Sequence, residues 1–178
     1  MSEKPLTTDD DLHRLPTDQD LNRLQWTTVL YYLHETNPDN GLVRDKTHPD
    51  IPCSIAAVGL ALATIPVVVE RGVLIRKFAA KIARRRLRSL LDLPQGPEPD
   101  AAGYKGFFYH FLDIEKGLRF EKVELSTIDT SLLLAGALFC QSYFADTARA
   151  EVAIRAYADS LYRRVEWTWP RNRPPAVN

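Results

Sequence analysis

Hydrophobic and polar positions fall along this chain in two kinds of helical pattern, and the two kinds alternate. Thr17 and Asp18 supply an N-cap, after which Leu21, Leu24, Trp26, Leu30, Tyr31 and Leu33 recur at helical spacing to about Glu35. Asn37-Pro38-Asp39-Asn40-Gly41 stops that helix with turn residues, and a polar loop runs on to Asp50. Ser54 then caps a run that is apolar on every side and stops near Arg71-Gly72. Leu74 to Leu93 has a different character. Ile75, Phe78, Ala79, Ile82, Leu87, Leu90 and Leu91 form one stripe, and Arg76, Lys77, Lys81, Arg84, Arg85 and Arg88 form the other. Pro94 to Gly106 reads as a Pro/Gly loop without a period. Phe107 to Val123 alternates aromatic and polar residues around Ile114-Glu115-Lys116-Gly117, the pattern of a short β-hairpin. Ser126 to Phe144 is again apolar nearly all round, and Thr147 to Val165 is again amphipathic, with Glu151/Arg155 and Asp159/Arg163 at ion-pair spacing.

A helix apolar on every side must be surrounded, whereas an amphipathic one needs cover on one side only. The alternation therefore predicts the inner and outer layers of an α/α barrel. Connections at Gly72 and Ala145-Asp146 are tight, while those before Ser54 and Ser126 are long, so antiparallel packing puts both long connections on one rim. Function usually resides on such loops. About five helices are too few to close a double-layered barrel, so the two apolar helices are expected to be partly bare. Residues 1–16 read as a flexible lead-in, residues 17–169 as the barrel portion, and residues 170–178 as a disordered Pro-rich tail.

Composition and charge exclude more than they identify. Lys plus Arg is 23 and Asp plus Glu is 23, so no global field draws the chain to nucleic acid or to anionic lipid. The basic stretch Arg84-Arg85-Arg86-Leu87-Arg88 has no accompanying nucleic-acid fold motif and reads as a solvated outer face. The longest apolar run, Ser54 to Val69, is short of the ~20 residues a membrane span needs and reads as a buried core helix. Met1 to Asp11 has neither a basic nor an apolar leader segment, so the chain as it stands is expected to be cytoplasmic, with the compartment of the intact protein left open. Cys53 and Cys140 read as two small buried thiols rather than as a disulfide. There is no His/Cys metal spacing, phosphate loop, Rossmann turn or nucleophile elbow.

The rim segments hold the carboxylates Asp45, Asp113, Glu115, Glu121, Glu124 and Asp129, in the company of Phe107, Phe108, Tyr109, Phe111 and Phe120. Glycosidic bond cleavage needs a pair of carboxyl groups beside a surface on which a sugar can stack. Each candidate also has a plainer reading. Ser126-Thr127-Ile128-Asp129 is a capping box, in which Asp129 satisfies the helix start. The two roles are compatible, because a helix N-terminus stabilises a nearby carboxylate, and that suits a base or an anionic stabiliser better than a general acid. Glu124 is either a site residue or an ordinary hairpin-end carboxylate, Asp45 beside Arg44 and Lys46 reads as a solvated loop charge, and His110 reads as a structural histidine.

Three stretches, Gly106-Phe107-Phe108-Tyr109-His110-Phe111-Leu112-Asp113, Gly117-Leu118-Arg119 and Glu124-Leu125-Ser126-Thr127-Ile128-Asp129-Thr130, resemble the signature of the glucoamylase-like domain family. That family includes endo-β-1,2-glucanases and the glucoamylase-like region of cyclic β-1,2-glucan synthases. Upstream, Gly41-Leu42-Val43-Arg44-Asp45, Ser54-Ile55-Ala56-Ala57-Val58-Gly59 and Glu70-Arg71-Gly72 are similar to its first helical repeat and the turn that follows. The resemblance runs from about Leu21 to Trp169. It implies an all-α fold, a partial (α/α)6 barrel with a short β-hairpin on the active-site rim, that acts on β-linked glucose polymers without a metal or organic cofactor.

By the same resemblance, Glu124 and Asp129 are the catalytic candidates, and Asp45, Asp113, Tyr109, His110 and Arg119 are the substrate-binding ones. In the family's glucanases the general acid is a Glu from a later segment. The stretch from Pro170 to Asn178 departs from the family pattern. The expectation is thus a truncated glycoside-hydrolase-like protein acting on β-1,2-glucan, or derived from an enzyme that does, and lacking the general acid. The alternative is a non-catalytic glycan-binding or helical assembly module. Expected partners are a β-glucan or oligosaccharide and either a second copy or a C-terminal half. Neither nucleic acid nor a membrane is expected.

Overall fold

A computed structural model describes residues 15–172, so most of the expected lead-in and tail lies outside the described residues. In chain order the elements are α1 (Asp18–His34), β1 (Cys53–Ser54), α2 (Ile55–Glu70), α3 (Arg76–Asp92), β2 (Gly103–Tyr104), β3 (Phe107–Tyr109), β4 (Phe111–Leu112), β5 (Leu125–Ser126), α4 (Thr127–Tyr143) and α5 (Arg149–Arg163). A single 3₁₀ turn, Trp169–Asn172, closes the described chain.

Local chemistry sets the helix starts. At α1, the Thr17 hydroxyl accepts from Asp20 N–H at 3.3 Å while the Asp20 carboxylate accepts from Thr17 N–H at 2.8 Å, a complete capping box. Ser54 Oγ accepts from Ala57 N–H at 3.4 Å to open α2, and Ser126 Oγ accepts from Asp129 N–H at 3.1 Å to open α4. The outer helices α3 and α5 begin without a side-chain cap.

The layers are those the alternation predicts. α2 packs along α4, α3 packs along α5, and α4 also meets α5. The inner pair approaches closely because Gly59 and Gly136 remove the side chains where the helices cross. The outer pair buries Ala83, Leu87 and Leu90 of α3 and Ile154, Ala158 and Leu161 of α5. As expected, the inner helices are partly bare: Leu60 of α2 and Ile128, Leu132 and Phe139 of α4 stand exposed. Cys53 and Cys140 are both free and buried, and burial pushes each thiol up to about 12.

Three expectations need correction. The first is the hairpin. The turn at Ile114–Gly117 does form, closed by Gly117 N–H on Asp113 O at 2.9 Å and by a bridge between Leu112 and Arg119. The strands, however, take their main partners elsewhere. β3 pairs antiparallel with β2 and with β5, while β4 pairs antiparallel with β1. β2 comes from the loop that showed no period, because a two-residue strand is too short to leave one.

The second is Arg86, which sits in the run read as solvated. It is buried, and its Nη2 donates to Thr36 Oγ1 at 3.0 Å. Desolvation pulls its guanidinium down to about 10. Arg86 falls at helical spacing with Ala79, Ala83 and Leu90, so it shares their inward stripe. The third is Glu151, expected to pair with Arg155. It pairs instead with Arg76 of the neighbouring outer helix, at 2.9 and 2.8 Å through two parallel bonds, while Arg155 donates to the carbonyls of Phe144 and Asp146. The Asp159–Arg163 pair forms at 2.7 Å.

Candidate active site

The segment Phe107 to Leu112 lies between the starts of the two inner helices. β3 pairs with β5, which leads into α4, and β4 pairs with β1, which leads into α2. His110 is the joint: its N–H donates to Glu124 O at 3.0 Å, and its own carbonyl accepts from Ile55 N–H at 3.2 Å. The backbone thereby fixes His110 between the two helix N-termini, both of which present positive dipole ends to this rim.

Three expected site residues meet there. His110 Nδ1 lies 2.8 Å from Glu124 Oε1, a hydrogen bond, and His110 Nε2 lies 3.9 Å from Asp129 Oδ2, too long for one. The imidazole also stacks on Phe111 with ring centroids 3.9 Å apart. The carboxylates differ in setting. The Glu124 side chain is 67% exposed and that of Asp129 only 15%, so Glu124 reaches into solvent while Asp129 is sheltered at the helix start. Glu124's own backbone N–H, and then His110, hold its carboxyl below the usual carboxylate range.

Asp129 departs from the capping-box expectation in one respect. The backbone of the first turn is capped by the Ser126 hydroxyl, and the Asp129 carboxylate accepts a hydrogen from that same hydroxyl. Asp129 therefore orients the cap rather than providing it, and Oδ2 turns toward His110.

Other candidates are committed elsewhere. Asp113 Oδ1 accepts from Glu115 N–H at 3.0 Å and Lys116 N–H at 2.7 Å, which makes it the organiser of the 113–117 turn. Asn37 and Asn40 hold that turn by donating to Ile114 O at 3.1 and 2.9 Å. The Arg119 guanidinium lies 4.2 Å from the centre of the Tyr109 ring and donates through Nε to Val123 O at 2.9 Å, so these two residues brace the loop that delivers Glu124. Asp45 sits on the strand-like stretch beside β1, with its N–H on Pro52 O at 3.0 Å. Among the described residues, no hydrogen bond joins Asp45 or Asp113 to the His110 cluster.

Phe107 and Phe108, expected as rim aromatics, are instead core residues. Phe107 packs edge-on against Trp167, and Arg164 covers Phe108. Of the aromatics expected on the rim, Phe111, Phe120 and Tyr109 remain half-buried there.

Thr130 has a structural role that its place at the end of the Glu124–Thr130 stretch does not reveal. Its hydroxyl is fully buried, accepts from Phe108 N–H at 2.9 Å and donates to Ser126 O at 2.6 Å, inserting between two paired strands. The available signal was a threonine on the inward stripe with Leu133, Leu134 and Ala137, where a buried hydroxyl needs partners. Among the described residues, no group of three or more His, Cys, Asp and Glu side chains could hold a metal ion.

No family model matches the chain. It is 27% identical over 162 residues to an exo β-1,2-glucooligosaccharide sophorohydrolase (non-reducing end) of Parabacteroides distasonis, a match covering 85% of this chain and 21% of that protein. Several solved structures share its fold, two of them β-1,2-glucanases. One is a β-1,2-glucanase from Parabacteroides distasonis (TM-score 0.74, 24% identity, covering 87% of this chain and 22% of that one). The other is an endo-β-1,2-glucanase from Chitinophaga pinensis in complex with sophorotriose and glucose (TM-score 0.75, 23% identity, covering 89% of this chain and 39% of that one). The chain thus has the glucoamylase-like fold of exo- and endo-acting β-1,2-glucanases, a helix-rich partial α/α barrel. It spans between about a fifth and two fifths of the length of these relatives.

Proposed function

We propose that the His110–Glu124–Asp129 rim is the anionic side of a β-1,2-glucan-cleaving site, and that this chain is a glycoside-hydrolase-like protein for that substrate class. The observation carrying this reading is one imidazole flanked by two carboxylates at the paired starts of the inner helices, with Phe111 stacked on the ring. Sophorotriose bound to the Chitinophaga pinensis enzyme supports the substrate class. Asp129, sheltered and facing the positive end of α4, suits an anionic stabiliser or base, and the more exposed Glu124 suits a contact to sugar hydroxyls or a water. Hydrolysis also requires a proton donor to the leaving oxygen. Glu124, held below the usual carboxylate range, is poorly suited to that step, so the acid is assigned to a residue beyond this cluster.

The test is release of reducing sugar from linear β-1,2-glucan by the purified chain, together with calorimetric binding of sophorotriose, each compared with Asp129→Asn. Binding that disappears in the variant supports the site, and release of sugar would add that the chain completes the acid/base pair. Equal affinity in both proteins, or none in either, would remove the rim from consideration. A second reading, a non-catalytic glycan-binding or assembly module, is favoured by the exposed Leu60, Ile128, Leu132 and Phe139, which invite cover by another helical surface. That reading predicts concentration-dependent association, lost in Ile128→Ser/Leu132→Ser.

A further inference from the structure

The zero formal charge conceals an uneven distribution. α3 and α5 carry ten of the 23 basic residues and three of the 23 acidic ones, so this outer pair holds a formal +7 and the rest of the chain −7. Most of the surplus is on α3, which has seven cations before its one acid, Asp92, at the last position. Three of those cations are engaged: Arg76 with Glu151, Arg86 in the interior, and Arg88 with Asp92. Lys77, Lys81, Arg84 and Arg85 remain on the exposed face. Lys81, Arg84 and Arg85 line a depression closed on one side by Tyr157.

Three residues read in the apolar stripe of this segment, Ile75 at the N-cap and Phe78 and Ile82 in α3, stand on its outside instead and form a ridge. Ile75 is 68% exposed, Phe78 52% and Ile82 37%. Their spacing of three and four residues puts them in one line along the helix. Lys81 lies against this ridge, its Nζ 5.6 Å from the centre of the Phe78 ring.

A solvated wall has no use for an exposed Ile-Phe-Ile line. A polyanion such as duplex nucleic acid would satisfy the cations and leave the ridge in water. An anionic bilayer answers both features: the ridge enters the boundary between headgroups and acyl chains, while lysine and arginine stems lie along it and their heads meet lipid phosphates. We propose that the outer face of α3 docks on an anionic lipid surface, with Ile75, Phe78 and Ile82 inserted and Lys77, Lys81, Arg84 and Arg85 contacting headgroups. The contact is peripheral, since no helix among the described residues is long and apolar enough to cross a membrane.

Zero net charge does not weigh against such a contact, for a physical reason. Screening limits a surface charge to about 8 Å at physiological salt, so a bilayer responds to the face it meets and not to the sum over the chain. The geometry is compatible with an accessible glycan rim. The rim stands at the N-terminus of α2, and α3 starts just after the C-terminus of α2, so Ile75 and Phe78 lie at the opposite end of the inner layer.

The experiment is flotation of the 178-residue chain with vesicles of phosphatidylcholine alone and of phosphatidylcholine mixed with phosphatidylglycerol. Flotation is expected with the mixed vesicles only, weakened about fivefold for each cation removed in Lys81→Gln and Arg85→Gln. Phe78→Ser/Ile82→Ser is expected to abolish it at unchanged helical circular dichroism. These positions are exposed, so both sets of variants keep the fold. No flotation with the mixed vesicles, equal flotation with neutral ones, or indifference to Phe78→Ser/Ile82→Ser would each overturn the proposal. Retention on duplex DNA as strong as on the vesicles would overturn it too, in favour of a general polyanion surface.

Discussion

The backbones of Gly59 and Gly136 meet where α2 crosses α4: a β-carbon on Gly136 would stand 2.0 Å from the Gly59 carbonyl oxygen, and one on Gly59 would stand 2.4 Å from the Leu132 carbonyl oxygen. The obstructing atoms are backbone and cannot swing aside. This contact fixes the separation of the two inner helices, and hence of Ser54 and Ser126, between which the His110 strand is hung. Gly136→Ala gains about 1 kcal/mol of helix propensity and loses about 3 kcal/mol to overlap. The net loss of ~2 kcal/mol should lower the thermal midpoint by roughly 4–8 °C, read by far-ultraviolet circular dichroism. A midpoint that stays or rises would mean the helices can part without cost, and the rim would then not be held by this crossing.

Ser126 and Asp129 share one hydrogen-bonded unit but have separable roles. Ser126 caps the backbone of α4, so Ser126→Ala should cost about 1 kcal/mol of stability. Asp129→Asn keeps a hydrogen-bond acceptor next to the serine hydroxyl and removes only the charge facing His110. It should shift the unfolding midpoint little while removing sophorotriose binding. Chemical denaturation and calorimetry on both variants give the comparison. Equal destabilisation by the two substitutions would assign Asp129 to capping alone.

The helices were legible because their signals are long. The Thr17, Ser54 and Ser126 starts each combine a capping residue with more than three turns of periodic pattern, and the inner and outer layers follow from whether that pattern closes round the helix. The placement of His110 beside Glu124 and Asp129 was legible only in part. Their proximity on one rim followed from loop lengths, but the ring's orientation depends on two backbone bonds from different helix starts. Strand pairing was not legible, since β1, β2, β4 and β5 are two residues each. Phe107 and Phe108 were misplaced for the same reason, because their inward direction follows from pairing with β2 and β5 rather than from alternation. Arg86 was hidden in a basic run, where charge density outweighed its position on the inward stripe.

Thr130 offers a test of how the strand is tied to α4. Its hydroxyl takes the N–H of Phe108 and gives its own hydrogen to Ser126 O, so the strand's N–H is tied to the helix start through it. Thr130→Val keeps the volume and deletes both bonds, leaving the Phe108 N–H without this acceptor, while the Ser126 carbonyl, at the N-cap, keeps the first intrahelical bond. The expected cost is about 2 kcal/mol or more. Thr130→Ser should recover most of it, because the hydroxyl returns and only a methyl is lost. A valine variant as stable as the parent would show that the strand pairs with β5 without this link.

The Arg76–Glu151 pair joins α3 to α5 and gives the outer layer a pH dependence with a defined sign. The Arg76 hydrogen bond is the main reason the Glu151 carboxyl lies below its ordinary value of 4.5, with Asp146 N–H adding to it and burial opposing. A folded-state value below the unfolded one means that the fold binds fewer protons, so stability rises with pH across that window. The pair's contribution is complete above about pH 4.5 and drains away as pH falls through the depressed value. Glu151→Gln should therefore be about 1–3 kcal/mol less stable than the parent near neutral pH, given the buried carboxylate and the partly exposed Arg76. In urea titrations at a series of pH values the two proteins should converge on the acid side. A gap that holds constant into acid would mean that the side chain's packing, and not its charge, stabilises the contact between the outer helices.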